Sequence, residues 1–236
     1  MSVEHGNVPW IEPRTYAKIQ QLVDGYRCPK ELTHDAGEIF AGSYDVPGLR
    51  FEKPPVIFDI GANCGAYTRW VIDRFPGAQV QCYEPNPEAF EILLQNVRHL
   101  RLEAKCHPVA IGASTCKKIL HKGKHNLGEA SFHDLGAQLI DRGVFVNVAS
   151  AESLGDCDVI KVDTEGCEVE ILTAYLKDPT RGVHPQVVSF EFHREADRRH
   201  LDALLYEMGY SLARGMVQYP SIGVLNYVHQ SAKKEK

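Results

Sequence analysis

The chain has 236 residues, of which 44% are hydrophobic and 24% are charged. These proportions are typical of globular domains and exclude a collagen-like, low-complexity or wholly disordered chain. The 26 basic and 31 acidic residues give a formal net charge of −5, which disfavours nucleic acid binding through bulk positive charge.

Cysteine spacing and hydropathy indicate the compartment. The seven cysteines are an odd number and form no C-x-x-C pair, which favours free thiols in a reducing compartment over a disulfide framework or a zinc site. The opening MSVEHGNVPWIEP has no apolar core of the signal-peptide kind, and no apolar run approaches the about 18 residues that a membrane helix needs. We therefore expect a soluble, cytoplasmic protein with no membrane span.

The first fifty residues differ in texture from the rest. Residues 1–15 are polar and predict an arm, and apolar spacing predicts a helix over residues 16–26. A stretch rich in glycine and proline follows at residues 38–55. We expect residues 1–50 to form an arm, a helix and a segment that covers a cleft, and residues 51–236 to form the main domain.

From residue 56 onward, short apolar runs alternate with longer amphipathic segments, which predicts βαβ units and a parallel sheet. A middle section, near residues 112–154, breaks this alternation with two short strand-like runs, and we expect it to be an insertion at the ends of the strands. The predicted strands are residues 56–60, 80–84, 106–111, 127–134, 144–150, 159–163 and 187–192, and the predicted helices are residues 65–75, 85–100, 167–176 and 200–208.

A glycine turn follows the first predicted strand. The run DIGANCG over residues 59–65 lies between a buried strand and a helix, where glycine permits a tight turn and a close approach of a ligand. Glu84 ends the second predicted strand, 23 residues after Gly61. An acid at this offset is placed to bind the hydroxyls of a ribose, so the two features together favour a nucleoside-containing cofactor.

Acidic residues and a histidine follow two later strands. Asp163 lies where a parallel strand ends, and Glu165 and Glu168 lie at the entry of the next helix, where acids also complement the helix dipole. Strand alternation places Glu191 and His193 on one face, and histidine is a common general base near neutral pH. A basic run at residues 117–125 is either a solvated face or an attractant for an anionic substrate.

Several runs, in order along residues 38–193, resemble the FkbM family of S-adenosylmethionine-dependent methyltransferases. They are GEIFAGSYDVPGL, DIGANCGAYT, YEPNP, VAIG, KVDTEGCEVEIL and FEFH. The resemblance implies an α/β, Rossmann-like class I methyltransferase fold. Its mostly parallel seven-stranded sheet would carry helices on both faces and an antiparallel last strand, at residues 223–228 after a strand at residues 210–213.

The resemblance also assigns roles to particular residues. It implies that the methionine part of S-adenosylmethionine contacts Asp59, Gly61, Asn63 and Gly65, and that Glu84 binds the ribose. It further implies that the adenine is bordered by Asn86, Ala110 and Ile111, and it favours a substrate lid that includes Asn126 and Ser131, with Glu165 nearby.

We expect methyl transfer to the oxygen of a hydroxyl group on a small molecule, such as a sugar or natural product. The expected base is His193 or Asp163, with Glu191 orienting it or sharing the proton. Three alternatives stay open: N-methylation of an amide or amine, a non-catalytic cofactor-binding partner protein, and a Mg²⁺-dependent reaction with Asp163, Glu165 and Glu191 as ligands.

Overall fold

The computed structural model describes residues 26–29, 32–121, 130–132, 143–219 and 221–233. The predicted arm, and the predicted helix up to residue 25, lie outside the described residues. The helices are α1 (Thr33–Phe40), α2 (Ala66–Arg74), α3 (Pro87–His99), α4 (Glu168–Leu176) and α5 (Glu195–Glu207). The strands are β1 (Val56–Ile60), β2 (Gln79–Tyr83), β3 (Ala104–His107), β4 (Ala110–Gly112), β5 (Cys116–Leu120), β6 (Val144–Ser150), β7 (Val159–Val162), β8 (Val187–Phe192), β9 (Tyr210–Tyr219) and β10 (Ile222–His229).

The predicted seven-stranded sheet is confirmed, with the order β3-β2-β1-β7-β8-β10-β9. In this sheet the five neighbouring strands β3, β2, β1, β7 and β8 are parallel, and β10 runs antiparallel to both of its neighbours. The first strand, β1, lies in the middle of the sheet. The strands β2 and β3 follow on one side of it, and β7 then pairs with its other side. This reversal of strand order creates a crevice at the carboxyl ends of β1 and β7, where ligands bind in folds of this type.

Apolar layers cover both faces of the sheet, as predicted. On one face Phe58 of β1 belongs to a core that includes buried residues of α4 and α5. On the other face its neighbour Ile57 belongs to a core with residues of α2 and α3. Because β1 is buried on both sides, its sequence is a nearly continuous apolar run.

Three predicted boundaries were wrong. The strand predicted at residues 210–213 extends to Tyr219 as β9. The strand predicted at residues 106–111 is two strands: β3 pairs with β2 in the large sheet, whereas β4 pairs with β6 in a smaller sheet. Pro108 lies between them and supplies no backbone N–H for a ladder. The helix predicted to start at residue 200 starts at Glu195. Apolar spacing does not reveal its first turn, because that turn is polar and is stabilised by an ion pair between Arg198 and Glu195.

The middle section contributes a three-stranded sheet of order β4-β6-β5. The strand predicted at residues 144–150 is confirmed as β6. The strand predicted at residues 127–134 lies mostly outside the described residues, and within the described part Ser131 forms an antiparallel bridge with His121. The division of the chain at residue 51 stays a prediction.

Two further expectations concern cysteines and membranes. All seven cysteines are free thiols, as their spacing predicted. Within the described ranges, the structure contains no helix that is both long and apolar enough to cross a bilayer.

Removal of a core side chain from α4 should destabilise the fold. Leu172 is fully buried between this helix and the sheet, so we expect Leu172→Ala to lower the free energy of unfolding by about 2–5 kcal/mol in urea titrations. The control is Leu212→Ala on β9, because the Leu212 side chain is 46% exposed and its removal should change stability by less than about 0.5 kcal/mol. Equal effects of the two changes would contradict this packing.

Candidate functional site

A cavity with a volume of about 270 Å³ lies at the carboxyl ends of β1, β2, β7 and β8. Residues that follow these strands form its floor, and the residues before β1 and the small sheet form its walls. The residues that line the cavity include Tyr26, Leu32, Ile39, Gly61, Asn63, Glu84, Ala110, Ile111, Leu120, Phe132, Lys161, Asp163, Glu165, Glu191 and His193.

The turn after β1 has backbone geometry that its residues explain. Gly61 has a φ of +76°, and a Cβ at this position would lie 1.7 Å from the backbone oxygen of Asp163. Only glycine therefore allows the turn after β1 to touch the turn after β7. Asn63 also has a left-handed φ, of 49°, which asparagine tolerates better than most residues. Its buried Oδ1 atom has no hydrogen-bond partner among the described residues.

Glu84 lies directly after β2 and connects two segments of the cavity. Its carboxylate accepts hydrogen bonds from the backbone N–H of Asn63, at 2.8 Å, and of Asn86, at 2.7 Å. Burial raises the pKa of Glu84 to about 7, against the opposing effect of these two bonds. The group is therefore close to half ionised at neutral pH in the absence of a ligand.

Three residues predicted to contact the cofactor lie behind the described cavity wall. Asp59 is fully buried, and its carboxylate accepts a hydrogen bond of 2.6 Å from the Thr68 hydroxyl. Gly65 precedes α2 with a φ of +87°, and the Asn86 side chain caps α3 by accepting a bond from the N–H of Glu88. Each supports a segment that does line the cavity.

A buried cation lies beneath the crevice. The Lys161 side chain is 2% exposed, and its Nζ atom lies 3.2 Å from Asp59 Oδ1 and 3.5 Å from Asp163 Oδ2. Nζ also donates a hydrogen bond of 2.7 Å to the backbone oxygen of Gly61. Burial lowers the pKa of Lys161, but the charges of Asp59 and Asp163 outweigh it and hold the pKa above its usual value, so the amine is charged.

The carboxyl groups of Asp163 and Glu191 are neighbours, and each affects the pKa of the other through charge and a side-chain hydrogen bond. Burial favours protonation of both, but Lys161 and the hydrogen bonds from Glu191 and Tyr44 keep the pKa of Asp163 below its usual value. Burial and the neighbouring charge of Asp163 hold the pKa of Glu191 well above its usual value. Asp163 is therefore the charged member, and Tyr44 donates a 3.1 Å hydrogen bond to its Oδ2.

His193 contacts a different carboxylate from the one that strand alternation suggests. Its Nε2 atom lies 3.1 Å from Glu165 Oε2, whereas Glu191 bonds to Asp163. The other ring nitrogen, Nδ1, is buried and has no hydrogen-bond partner among the described residues. Glu165 reaches His193 from a left-handed backbone conformation with a φ of 58°.

The remaining predicted residues are placed as follows. Ala110 and Ile111 of β4 line the cavity. Ser131 does not appear in the wall, and its hydroxyl donates a 2.8 Å bond to the backbone oxygen of Glu165. Glu168, the first residue of α4, accepts bonds from the N–H groups of Thr164 and Gly166 in the turn before the helix, and its predicted interaction with the helix dipole stays a prediction. Asn126 lies outside the described residues.

In the part of the chain that the structure describes, no group of three or more His, Cys, Asp or Glu side chains is placed to hold a metal ion. The carboxyl groups of Asp163 and Glu191 instead bond to each other, and Glu165 contacts His193.

Comparison with known proteins identifies the family. The model of the methyltransferase FkbM domain matches residues 59–212, which is more than half of the chain. The chain belongs to the FkbM methyltransferase family. It is therefore an S-adenosylmethionine-dependent methyltransferase, as the sequence motifs predicted.

The chain is also similar to a curated methyltransferase in sequence and to solved methyltransferase structures in fold. The chain is 24% identical to methyltransferase sdnD of Sordaria araneosa, over 77% of this chain and 83% of that protein. Among solved structures, an FkbM methyltransferase from Methylobacillus flagellatus superposes with a TM-score of 0.59 at 17% identity, over 91% of this chain and 59% of that one. A precorrin-6y C5,15-methyltransferase from Geobacter metallireducens superposes with a TM-score of 0.53 at 14% identity, over 88% and 96%.

The cavity fits the cofactor of the FkbM family. Asn63 Oδ1 is a buried acceptor that lacks a donor among the described residues, and an α-ammonium group supplies N–H donors. The Glu84 carboxylate faces the same cavity, and each of its oxygens has a lone pair beyond the one that accepts a backbone N–H. Hydroxyl donors such as those of a ribose match it.

Two residues of this site had no role in the sequence-based prediction. Lys161 stood within the KVDTEG motif, but a lysine at the end of a strand is usually solvated. Tyr44 stood within the GEIFAGSYDVPGL segment, 119 residues from the Asp163 that it contacts. A charged residue inside an otherwise apolar strand is the one signal that points to Lys161.

Substitution at Gly61 should distort both turns. We expect Gly61→Ala to lower the free energy of unfolding by about 1–3 kcal/mol and to weaken S-adenosylmethionine binding, because a Cβ overlaps the backbone oxygen of Asp163. Thermal melting and isothermal titration measure the two effects. The control is Gly182→Ala, since a Cβ at Gly182 meets nothing within 4 Å. Normal cofactor binding by Gly61→Ala would show that the contact of the two turns is dispensable.

Proposed function

We propose that this FkbM methyltransferase transfers the methyl group to the hydroxyl oxygen of a small molecule, with His193 as the general base. The observation that carries this proposal is the state of the imidazole. Its Nε2 is held by Glu165, while its buried Nδ1 lacks a partner among the described residues and the residue lines the cavity.

An alcohol needs a base because it is a weak nucleophile until its proton leaves. Contact with a carboxylate favours the neutral tautomer that carries its proton on Nε2, which leaves Nδ1 as the proton acceptor. Glu165 thus orients the ring and stabilises the imidazolium that forms when Nδ1 takes the proton.

Asp163 is a poorer base than His193. Its Oδ2 atom already accepts a hydrogen bond from Tyr44 and lies near Lys161. Burial raises the pKa of the Asp163 carboxyl, but the charge of Lys161 and the hydrogen bonds outweigh burial and hold the pKa below its usual value. We assign Asp163 the role of a fixed negative charge, and we assign Glu191, whose pKa is held well above its usual value by burial and by the charge of Asp163, the role of its protonated neighbour.

The cofactor side of the cavity is proposed to comprise the turn after β1, Glu84, and the β4 residues Ala110 and Ile111. When bound, S-adenosylmethionine supplies a methyl group activated on a sulfonium ion. Gly61 and Asn63 would hold its methionine part and Glu84 its ribose. Asp59, Gly65 and Asn86 would act from behind the wall, by holding Lys161, α2 and α3 in place.

A small acceptor is proposed because the cavity is covered. Tyr26, Leu32 and Ile39 line it from the segment before β1, and Leu120 and Phe132 line it from the small sheet side. Apolar walls with a few polar groups at one end are typical of small-molecule sites. The described residues before 51 are proposed to cover the cleft, and Asn126 and Ser131 are proposed to belong to its lid.

The acceptor class can be tested directly. The protein is incubated with S-adenosylmethionine carrying a labelled methyl group and a panel of sugars, polyketide alcohols and peptide amides, and mass spectrometry locates the label. We expect label on oxygen. Transfer to amide nitrogen alone would contradict the proposal, as would cofactor binding without transfer to any member of the panel.

Loss of the imidazole should affect the chemical step more than binding. With a reactive alcohol from this panel, we expect His193→Ala to lower kcat by about 10²–10⁴-fold and to leave the affinity for S-adenosylmethionine nearly unchanged. Glu165→Gln should lower kcat less, because the base remains but loses its charged partner. Unchanged kcat in His193→Ala would remove the histidine from the mechanism.

Cofactor affinity should depend on the ionisation of Glu84. The carboxylate form accepts the ribose hydroxyls, and the pKa of Glu84 is raised to about 7 by burial. Affinity for S-adenosylhomocysteine should therefore rise with pH, and be about tenfold weaker at pH 6 than at pH 8. Over the same interval the stability of the free protein should fall as pH rises, because the folded state holds this proton more tightly than the unfolded state.

The matched control is Glu84→Gln, measured over the same pH range. It should bind about tenfold more weakly or worse, because a charged hydrogen bond is lost, and it should lack the Glu84 component of the pH dependence. The α-amino group of the ligand titrates in a neighbouring range, so the variant supplies the baseline. Identical pH profiles of the two proteins would contradict the ribose assignment.

A further inference from the structure

The buried ion pair of Asp59 and Lys161 lies below the crevice, where removal of both charges from water opposes folding. Asp59 and Lys161 are partners in register on the neighbouring strands β1 and β7, and their side chains are 0% and 2% exposed. The residues on either side of them in these strands are apolar and buried. A buried ion pair is a poor source of stability compared with packed apolar groups, so its position asks for another explanation.

The contacts of the cation supply one. Lys161 Nζ donates to the backbone oxygen of Gly61 at 2.7 Å, which belongs to the turn that follows β1. The same atom lies 3.5 Å from Asp163 Oδ2, in the turn that follows β7. One ammonium group therefore joins the cofactor side of the cavity to the side that carries the charged carboxylate.

The partners of Lys161 are themselves fixed. Asp59 accepts a hydrogen bond from Thr68 on α2, and Asp163 accepts one from Tyr44 in the segment before β1. The rings of Tyr44 and Tyr67 lie 6.0 Å and 5.9 Å from Nζ, a range in which aromatic faces attract a cation. These contacts surround the ammonium group and restrain its position.

We propose that Lys161 is a positioning residue for methyl transfer, which fixes the negative charge of Asp163 relative to the cofactor turn. It acts through Asp163 and Gly61 and not by contact with the acceptor. The inference rests on the proposed function in one respect, because it places Asp163 on the acceptor side of the cofactor. A positioned carboxylate stabilises a sulfonium cation in S-adenosylmethionine but gains nothing from the neutral thioether of S-adenosylhomocysteine.

The preference for S-adenosylmethionine over S-adenosylhomocysteine, measured by titration calorimetry, is therefore the test. The variant is Asp59→Asn with Lys161→Met, which removes one positive and one negative buried charge and leaves the net charge unchanged. We expect it to remain folded and to lose about fivefold or more of the wild-type preference for the charged ligand. Asp59→Asn alone keeps the ammonium beside Asp163 and should retain most of the preference.

Two further variants complete the experiment. Tyr44→Phe removes a hydrogen bond to Asp163 without changing any buried charge and should reduce the preference in the same direction, by about twofold or more; it decides the matter if the double variant does not fold. Lys177→Met removes a lysine whose partner Glu207 is 3.7 Å away on the exposed surface and should change nothing.

A wild-type preference in both the folded double variant and Tyr44→Phe would overturn the inference and reduce Lys161 to a structural ion pair. That outcome leaves the proposed function intact. Conversely, a wild-type protein that binds both ligands but methylates no alcohol would refute the proposed function, while the change in ligand preference would still report on Lys161.

Discussion

The contact between Gly61 and the backbone oxygen of Asp163 is the constraint on which the site depends. The strand order reverses between β1 and β7, so the turns that follow these strands are far apart along the chain but meet in space. A side chain at Gly61 would hold them apart. Because they touch, the turn proposed to bind the cofactor and an acidic turn face one cavity, and a single lysine reaches both.

Around this contact the acidic side chains take different roles. Asp59 neutralises a buried lysine, Glu84 accepts bonds from two backbone N–H groups, and Glu168 accepts a bond from the backbone N–H of Thr164 in the turn before α4. Asp163 is kept charged while Glu191 keeps a proton. Environment, and not residue type, sets these roles, since burial, opposite charge and hydrogen bonds shift carboxyl pKa values in different directions. The cavity thus contains the negative charge of Asp163, which suits a cation, beside the neutral carboxyl group of Glu191.

Apolar runs and their spacing predicted the parallel strands and the alternating helices, because these patterns depend mainly on local burial. The resemblance of the motifs, and not the apolar spacing, implied the FkbM family and the antiparallel last strand. The amino-acid sequence also placed Gly61 and Glu84 at the ends of adjacent strands, where the topology brings them to one edge. The break at Pro108 was missed, since an apolar run cannot show which of two sheets its halves join.

The partner of His193 could not be predicted for a different reason. Strand alternation puts Glu191 and His193 on one face, but it gives no information about Glu165, which lies in the turn after β7. Glu165 reaches the imidazole because of its own backbone torsion. Likewise, the contact of Tyr44 with Asp163 joins residues far apart in sequence, and only the folded chain reveals it.

The left-handed conformation of Glu165 sets stability against activity at one residue. A non-glycine side chain in this region costs about 1–3 kcal/mol, and a glycine would adopt the same φ of 58° without that strain. Glycine, however, has no carboxylate to hold the imidazole. Under the proposed role of Glu165, selection for a more stable protein would therefore favour a change at this residue that selection for methyl transfer would oppose.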